Sequence, residues 1–254
     1  MRGWTGLYGT SVGLGGRYLL RHGYLREAVI RVVVPLDPSR YLELPETKRE
    51  LAARPGEKVL DLASPKLLAV HLARGGVEVT SVDLFDEEIE RWRRLAEDER
   101  NLCFEVADGR SLPYGDAAFD HAYSISVLEH IAGDGDAQAL NELARVVKPG
   151  GRVVITLPHA PRAYDEHRDR ALYGGEDTFF QRWYDSDAVQ RLAAAAPVLR
   201  LESTKVSRLQ PNLNTAYNRT FPWLVPLGPL FGLLARERQG EEGDVIRLTF
   251  TRTQ

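Results

Sequence analysis

Residues 57–83 read EKVLDLASPKLLAVHLARGGVEVTSVD, and the fold follows from how this stretch divides. Residues 59–62 are a short apolar run of strand type. Residues 66–74 suit a helix stopped by Gly75-Gly76, and 77–82 form a second strand closing on Asp83. Strand, tight turn, helix and a second strand ending on an acid make half of a nucleotide-binding α/β unit. The turn itself, Asp61-Leu62-Ala63-Ser64-Pro65-Lys66, has no glycine where such turns normally carry several.

Downstream the alternation continues. A charged helix over 86–100 leads to a third strand, 102–107, ending at Asp108. A fourth strand, 119–125, precedes a helix over 134–147. Lys148-Pro149-Gly150-Gly151 turns into a fifth strand, 152–157. A helix over 185–196 ends before Pro197, and 198–206 and 245–251 are two last strands. This pattern predicts an α/β fold: a Rossmann-like, mostly parallel seven-stranded sheet with helices on both faces and an antiparallel last strand. Upstream, residues 1–54 form an N-terminal helical layer. One helix covers 17–34, with Gly23 inside it, and a second starts at Asp37-Pro38 and runs to Leu51. The main domain is then 55–254, interrupted by 209–243, an insertion or lid holding Pro211, Pro222, Pro226 and Pro229.

Composition narrows the function classes. The 254 residues are 43% hydrophobic, enough for one large core. A net charge of -3 without a long basic run argues against a nucleic-acid partner. Cys103 is the only cysteine, so no internal disulfide forms. No Cys/His cluster has metal-ligand spacing, and no metal is expected. The strand-like surroundings of Cys103 predict a buried, inert thiol. No secretory signal or membrane-length apolar run is evident, so the expectation is cytoplasmic.

In an open α/β sheet, ligands bind beyond the carboxyl ends of the strands. Here successive strand ends carry Asp61, Asp83, Asp108 and Ser124. Asp83 follows Asp61 by 22 residues (83 − 61), near the offset at which a second-strand acid meets ribose hydroxyls. Each acid taken alone also suits a helix cap or turn, but three at consecutive strand ends point to a nucleotide-like cofactor.

The segments Asp108-Gly109-Arg110-Ser111-Leu112-Pro113-Tyr114, Phe119-Asp120, Val127-Leu128-Glu129-His130-Ile131 and Glu142 to Gly151 occur in this order. The series resembles the class I S-adenosylmethionine-dependent methyltransferases over residues 57–158. The resemblance implies S-adenosyl-L-methionine as cofactor and a small-molecule acceptor. It places Asp61 near the methionine part, Asp83 with its neighbour Leu84 at the ribose, Asp108 and Gly109 at the adenine, and Ser124 at the methionine end. Glu129 and His130 would line the pocket beside the transferred methyl. The departure lies in the first turn, where Ala63, Pro65 and Leu67 stand at the family's glycine positions. Alanine tolerates close approach while φ stays negative, whereas proline fixes φ and removes a donor. Ser64 and Lys66 are placed to compensate by binding the cofactor carboxylate. The other reading of Lys66 is an exposed first-turn residue.

Methyl transfer to a hydroxyl needs a base that titrates near neutral pH. His130 is the first candidate and His159, after the fifth strand, the second. The structural alternatives are a bond that fixes the helix start and a plain loop residue. Tyr164, Asp165 and His167 are candidate substrate contacts, and His71 reads as a packing residue. The aromatics Phe179, Phe180, Trp183 and Tyr184 in the loop 174–184 are either a substrate wall or a packing cluster. The apolar segment 221–235 allows a lid, an interfacial anchor or a subunit contact, with a lid or hydrophobic acceptor wall as first choice. The functional alternative is a non-catalytic interaction or scaffold protein that has kept the fold and lost the cofactor. A nicotinamide-dependent oxidoreductase is disfavoured because G-x-G-x-x-G is absent after the first strand. Neither the acceptor's identity nor the oligomeric state is readable from the chain.

Overall fold

The structure is a computed structural model describing residues 4–23, 25, 29, 31, 40–168, 178–207 and 244–253. In chain order the elements are α1 (Trp4–His22), α2 (Arg40–Leu51), β1 (Lys58–Leu62), α3 (Leu67–Arg74), β2 (Glu78–Asp83), α4 (Asp86–Leu95), β3 (Leu102–Val106) and β4 (Phe119–Ile125). After a single 3-10 turn at Leu128–His130 come α5 (Gly135–Val146), β5 (Val147–Pro158), β6 (Tyr164–His167), β7 (Phe179–Trp183), α6 (Ser186–Ala195), β8 (Leu199–Ser207) and β9 (Val245–Arg252). The expected seven-stranded sheet forms in the order β3-β2-β1-β4-β5-β9-β8. β1 to β5 pair in parallel, and the last strand, β9, runs antiparallel between β5 and β8. The order reverses at β1, with β2 on one side and β4 on the other. The carboxyl ends of β1 and β4 therefore open onto a crevice, where α/β folds of this kind bind ligands.

Period-two alternation divides the core between the two faces. Leu60, Val153 and Ile155 face α5 and α6, packing with Leu140, Leu143, Val189 and Leu192. Val59, Val79, Tyr123 and Val154 face the other way. They pack with Leu7 and Leu14 of α1, Leu44 and Leu51 of α2, Leu68 of α3 and Trp92 of α4. The N-terminal helices thus share one core with the sheet.

Several elements differ from the sequence-based expectation. The first helix begins at Trp4, well before residue 17, and two of its glycines, Gly6 and Gly13, are contact points. A Cβ on Gly6 would lie 3.0 Å from His71 Cε1. His71 itself is a docking residue: its Nδ1 lies 2.9 Å from Thr10 Oγ1 and its Nε2 2.8 Å from Lys48 Nζ. Burial lowers the His71 pKa to about 4, so the ring is neutral and accepts the Lys48 ammonium proton at Nε2. Gly23, expected inside a helix, ends α1 at φ 68 with its N–H on Leu19 O. Helix α4 stops at Leu95 because Ala96 and Glu99 turn the chain back toward β3. Lys148-Pro149-Gly150-Gly151 is drawn into β5, with a register shift opposite Phe119 and His121. The segment 179–183 is a strand, β7, paired antiparallel with β6. Cys103 is exposed, not buried, because β3 is an edge strand and buries Phe104 on its other face. Asp37, Pro38 and the segment 221–235 lie outside the described residues.

A Cβ on Gly151 would stand 2.2 Å from Asp120 O, a backbone atom that cannot swing away. Gly151→Ala is expected to cost about 1–3 kcal/mol, seen as a lower urea midpoint at unchanged slope.

Candidate functional site

At the switch in strand order lies a cleft of about 730 Å³. Its walls come from Ala63, Ser64 and Pro65 after β1, Asp83 to Phe85 after β2, and Asp108 and Gly109 after β3. Ser126, Val127 and His130 follow β4, Phe179 belongs to β7, and Arg40 reaches in from α2. Of the residues singled out from sequence, Ala63, Ser64, Pro65, Asp83, Leu84, Asp108, Gly109 and His130 meet here. Asp61, Lys66, Ser124, Glu129 and His159 are buried and lie outside this lining.

The first turn shows why. Ala63 takes φ 52, so the first glycine position keeps a glycine-like path with alanine in it, contrary to a negative φ. Its N–H bonds Val82 O at 2.8 Å, and Ser64 N–H bonds Asp61 Oδ1 at 3.2 Å. The Ser64 hydroxyl donates to Leu62 O and accepts from Ile125 N–H at 2.9 Å. The turn therefore spends its polar groups on the sheet, and Ser64 Oγ is committed away from a ligand. Ala63→Gly relieves left-handed strain worth roughly 1 kcal/mol and is expected to raise the unfolding midpoint slightly.

Asp61 is fully buried behind the turn, where Ser81 Oγ donates to its Oδ2 at 2.6 Å. Burial raises its pKa, opposed by Lys66 and by the serine bonds. Lys66 is neither an exposed helix residue nor a group lining the cleft. It is 2% exposed, and its Nζ lies 3.1 Å from Asp83 Oδ2, 3.1 Å from Val82 O and 3.8 Å from Asp61 Oδ2. Asp83 Oδ1 accepts Phe85 N–H at 3.2 Å. Asp108 is gripped by Arg110, whose Nη2 lies 2.7 Å from Oδ2, and those side-chain bonds hold its pKa down.

At the β4 end, Ser124 Oγ donates inward to Leu62 O at 3.0 Å, so it does not open onto the cleft. Ser126, at φ 52, accepts Arg40 Nη1–H at 3.0 Å and donates to Glu43 Oε1 at 3.1 Å. Thr156 Oγ1 donates to the same Glu43 oxygen at 2.9 Å, and Arg40 pairs with Oε2. This anchored arginine was missed in the sequence because 86 residues separate it from Ser126. Glu129 is 2% exposed, and its Oε2 has no hydrogen-bond partner among the described residues. Burial, with Glu43 nearby, raises its pKa to about 8.

His130 faces the cleft, with Nδ1 2.7 Å from Phe180 O and its ring 5.2 Å from the Phe180 ring. A carbonyl only accepts, so Nδ1 carries the proton and Nε2 the lone pair. Burial lowers the His130 pKa and keeps the ring neutral. Its Nε2 is 3.9 Å from Glu129 Oε1, too far for a hydrogen bond. His159 sits at the β5 end in a bridge to Tyr184, away from the cleft, because its backbone N–H bonds Asp244 O. Tyr164 stacks on Trp183 and Asp165 pairs with Arg182, so these strand residues brace the β6–β7 ribbon. Among the described residues no cluster suits a metal ion, and no helix is long and apolar enough to cross a membrane.

Residues 60–155 match the family described as the methyltransferase domain. The demethylmenaquinone methyltransferase of Corynebacterium kroppenstedtii is 35% identical over 133 residues, covering 50% of this chain and 55% of the relative. That of Beutenbergia cavernae is 39% identical over 134 residues, covering 49% of each. The chain thus spans about half the length of the curated relatives it matches. Among solved structures, the [4+2]-cyclase SpnF superposes with TM-score 0.58 at 18% identity, covering 96% of this chain and 97% of that one. A putative methyltransferase from Bacillus halodurans gives TM-score 0.56 at 16% identity, covering 84% and 99%. These likenesses are of fold, and a cyclase among them shows that the fold alone does not dictate the reaction.

Proposed function

Because the chain carries a methyltransferase domain of the class I, S-adenosylmethionine-dependent family, we propose that it moves the methyl group of S-adenosylmethionine to a small-molecule acceptor. The observation that carries this reading is the Asp83 carboxylate, facing the cleft at the carboxyl end of β2 beside the switch in strand order. The residues present fit the cofactor. Asp83 has lone pairs left for a ribose diol, Asp108 stands at the next strand end, and about 730 Å³ suffices for a nucleoside and a small acceptor. When bound, the cofactor would supply a methyl group on a positively charged sulfur, open to in-line attack.

The chain's own residues would do the rest. His130 presents a neutral imidazole whose Nε2 lone pair suits removal of an acceptor hydroxyl proton. Arg40, held by Glu43 and Ser126, would orient a polar group of the acceptor. Val127, Ile131, Ala132 and Phe179 form an apolar wall that suits a hydrophobic acceptor and excludes water. The relatives named for demethylmenaquinone support an acceptor of that apolar kind.

Calorimetry with S-adenosylhomocysteine tests the reading. Saturable binding is expected, and no heat at millimolar ligand would sink it. The competing reading, a non-catalytic interaction or scaffold protein that keeps the fold and has lost the cofactor, draws on a first turn whose N–H groups are used internally. A thermal-shift series separates the two, since a ligand bound by the native state raises the midpoint by mass action. Arg40→Ala is expected to raise the acceptor KM about tenfold while leaving S-adenosylhomocysteine affinity within about twofold, as befits loss of one charged hydrogen bond at the acceptor end. Equal losses for both ligands would remove Arg40 from acceptor binding.

A further inference from the structure

Lys66 stands between Pro65 and Leu67, and its side chain is buried. It starts at the residue before α3, at φ -61, and runs beneath the turn to the end of β2. There Nζ has three neighbours, and they differ in kind. Val82 O and Asp83 Oδ2 are at hydrogen-bond distance, whereas Asp61 Oδ2 at 3.8 Å contributes charge alone.

The bonding capacity of Asp83 gives this arrangement a purpose. An ionised carboxylate offers about four lone-pair positions. Lys66 Nζ–H takes one on Oδ2, and Phe85 N–H takes one on Oδ1. One position on each oxygen remains, and Asp83 borders the cleft. A vicinal diol donating one bond to each oxygen would complete the set. Resting on the reading of this cleft as an adenosyl-cofactor site, we propose that Lys66 is a positioning residue for ribose recognition: its buried ammonium orients Asp83 so that both oxygens meet the two ribose hydroxyls. An ammonium that approaches from behind the turn takes over the fixing of this end of the site. The turn's own N–H groups at Ala63 and Ser64 are already bonded to Val82 and Asp61.

The test compares two ligands on one protein. S-adenosylhomocysteine and its 2′,3′-dideoxy analogue are titrated into the wild type, Lys66→Gln, Lys66→Met and Lys66→Arg by calorimetry. The wild type should prefer the diol at least about a hundredfold, the scale of two charge-assisted hydrogen bonds. In Lys66→Gln and Lys66→Met the diol ligand should weaken about tenfold or more, with the dideoxy analogue moving less than about threefold. Lys66→Arg should recover part of the preference. Parallel weakening of both ligands in either neutral variant would overturn the proposal, because a merely structural role lowers both alike. Tighter diol binding without the ammonium would also overturn it, by showing that Lys66 competes with the ribose. Failure of the wild type to bind either ligand would overturn the cofactor reading itself, and this outcome is distinct from the others. Lys66→Gln keeps a donor and most of the length, so a loss of folding in Lys66→Met leaves the comparison intact.

Discussion

Asp83→Ala is expected to weaken S-adenosylhomocysteine binding at least about a hundredfold in calorimetry. Hydrogen bonds to a charged group contribute about 1.5–3 kcal/mol each, and Asp83 would accept two from a ribose diol. Their joint loss corresponds to roughly 10² to 10⁴ in affinity. The same substitution removes the nearest anion from Lys66, leaving a 2% exposed ammonium whose nearest carboxylate among the described residues is Asp61, 3.8 Å away. Breaking a buried pair from one side costs about 3–5 kcal/mol of stability. Affinity and stability would therefore fall together, and Asp83→Asn separates them. The amide keeps the shape and one acceptor oxygen, so it should restore part of the stability while still losing most of the affinity. Binding within a few-fold of wild type in both variants would refute the ribose assignment.

The fold was readable because its determinants are local. Apolar runs of strand length alternate with helical segments, and Gly75-Gly76 marks where the chain turns between α3 and β2. The antiparallel β9 was likewise implied by the lack of a helical crossover before it. The start of the first helix has no local mark, because Gly6 and Gly13 look like breakers in isolation. They are tolerated since α3 lies close against them, with His71 and Arg74 as their neighbours. That is a tertiary cause with no local mark. The lining of the cleft was legible at Asp83, Asp108 and His130, where the strand period and the family-like series coincide. It was not readable where burial decides. Asp61 and Ser124 stand at strand ends and Glu129 in the turn after β4, yet they turn inward to Ser81, Leu62 and the Glu43 region. Whether a polar residue at or just after a strand end faces ligand or core depends on groups on other elements, from 20 residues away for Asp61 and Ser81 to 62 for Ser124 and Leu62.

Glu129→Gln should remove a large part of the pH dependence of stability. The Glu129 pKa rises from an ordinary 4.5 to about 8, chiefly through burial. Between those values the folded protein holds one proton more than the unfolded chain. Stability therefore falls as pH rises across this window, by about 1.4 kcal/mol per unit, and is level above it. At 2% exposure, solvent screening offsets little of this, and the full span amounts to several kcal/mol in order of magnitude. Glutamine has nearly the same shape and does not titrate. The stability of Glu129→Gln relative to wild type should thus improve steadily from pH 5 to pH 8. Urea unfolding of both proteins at those two pH values measures the difference directly. An equal pH slope in the two would mean that Glu129 is ionised in the native state. The arginine that could sustain such a charge is Arg40, whose nearest anion is Glu43, and Arg40→Ala would then lose stability most at the higher pH.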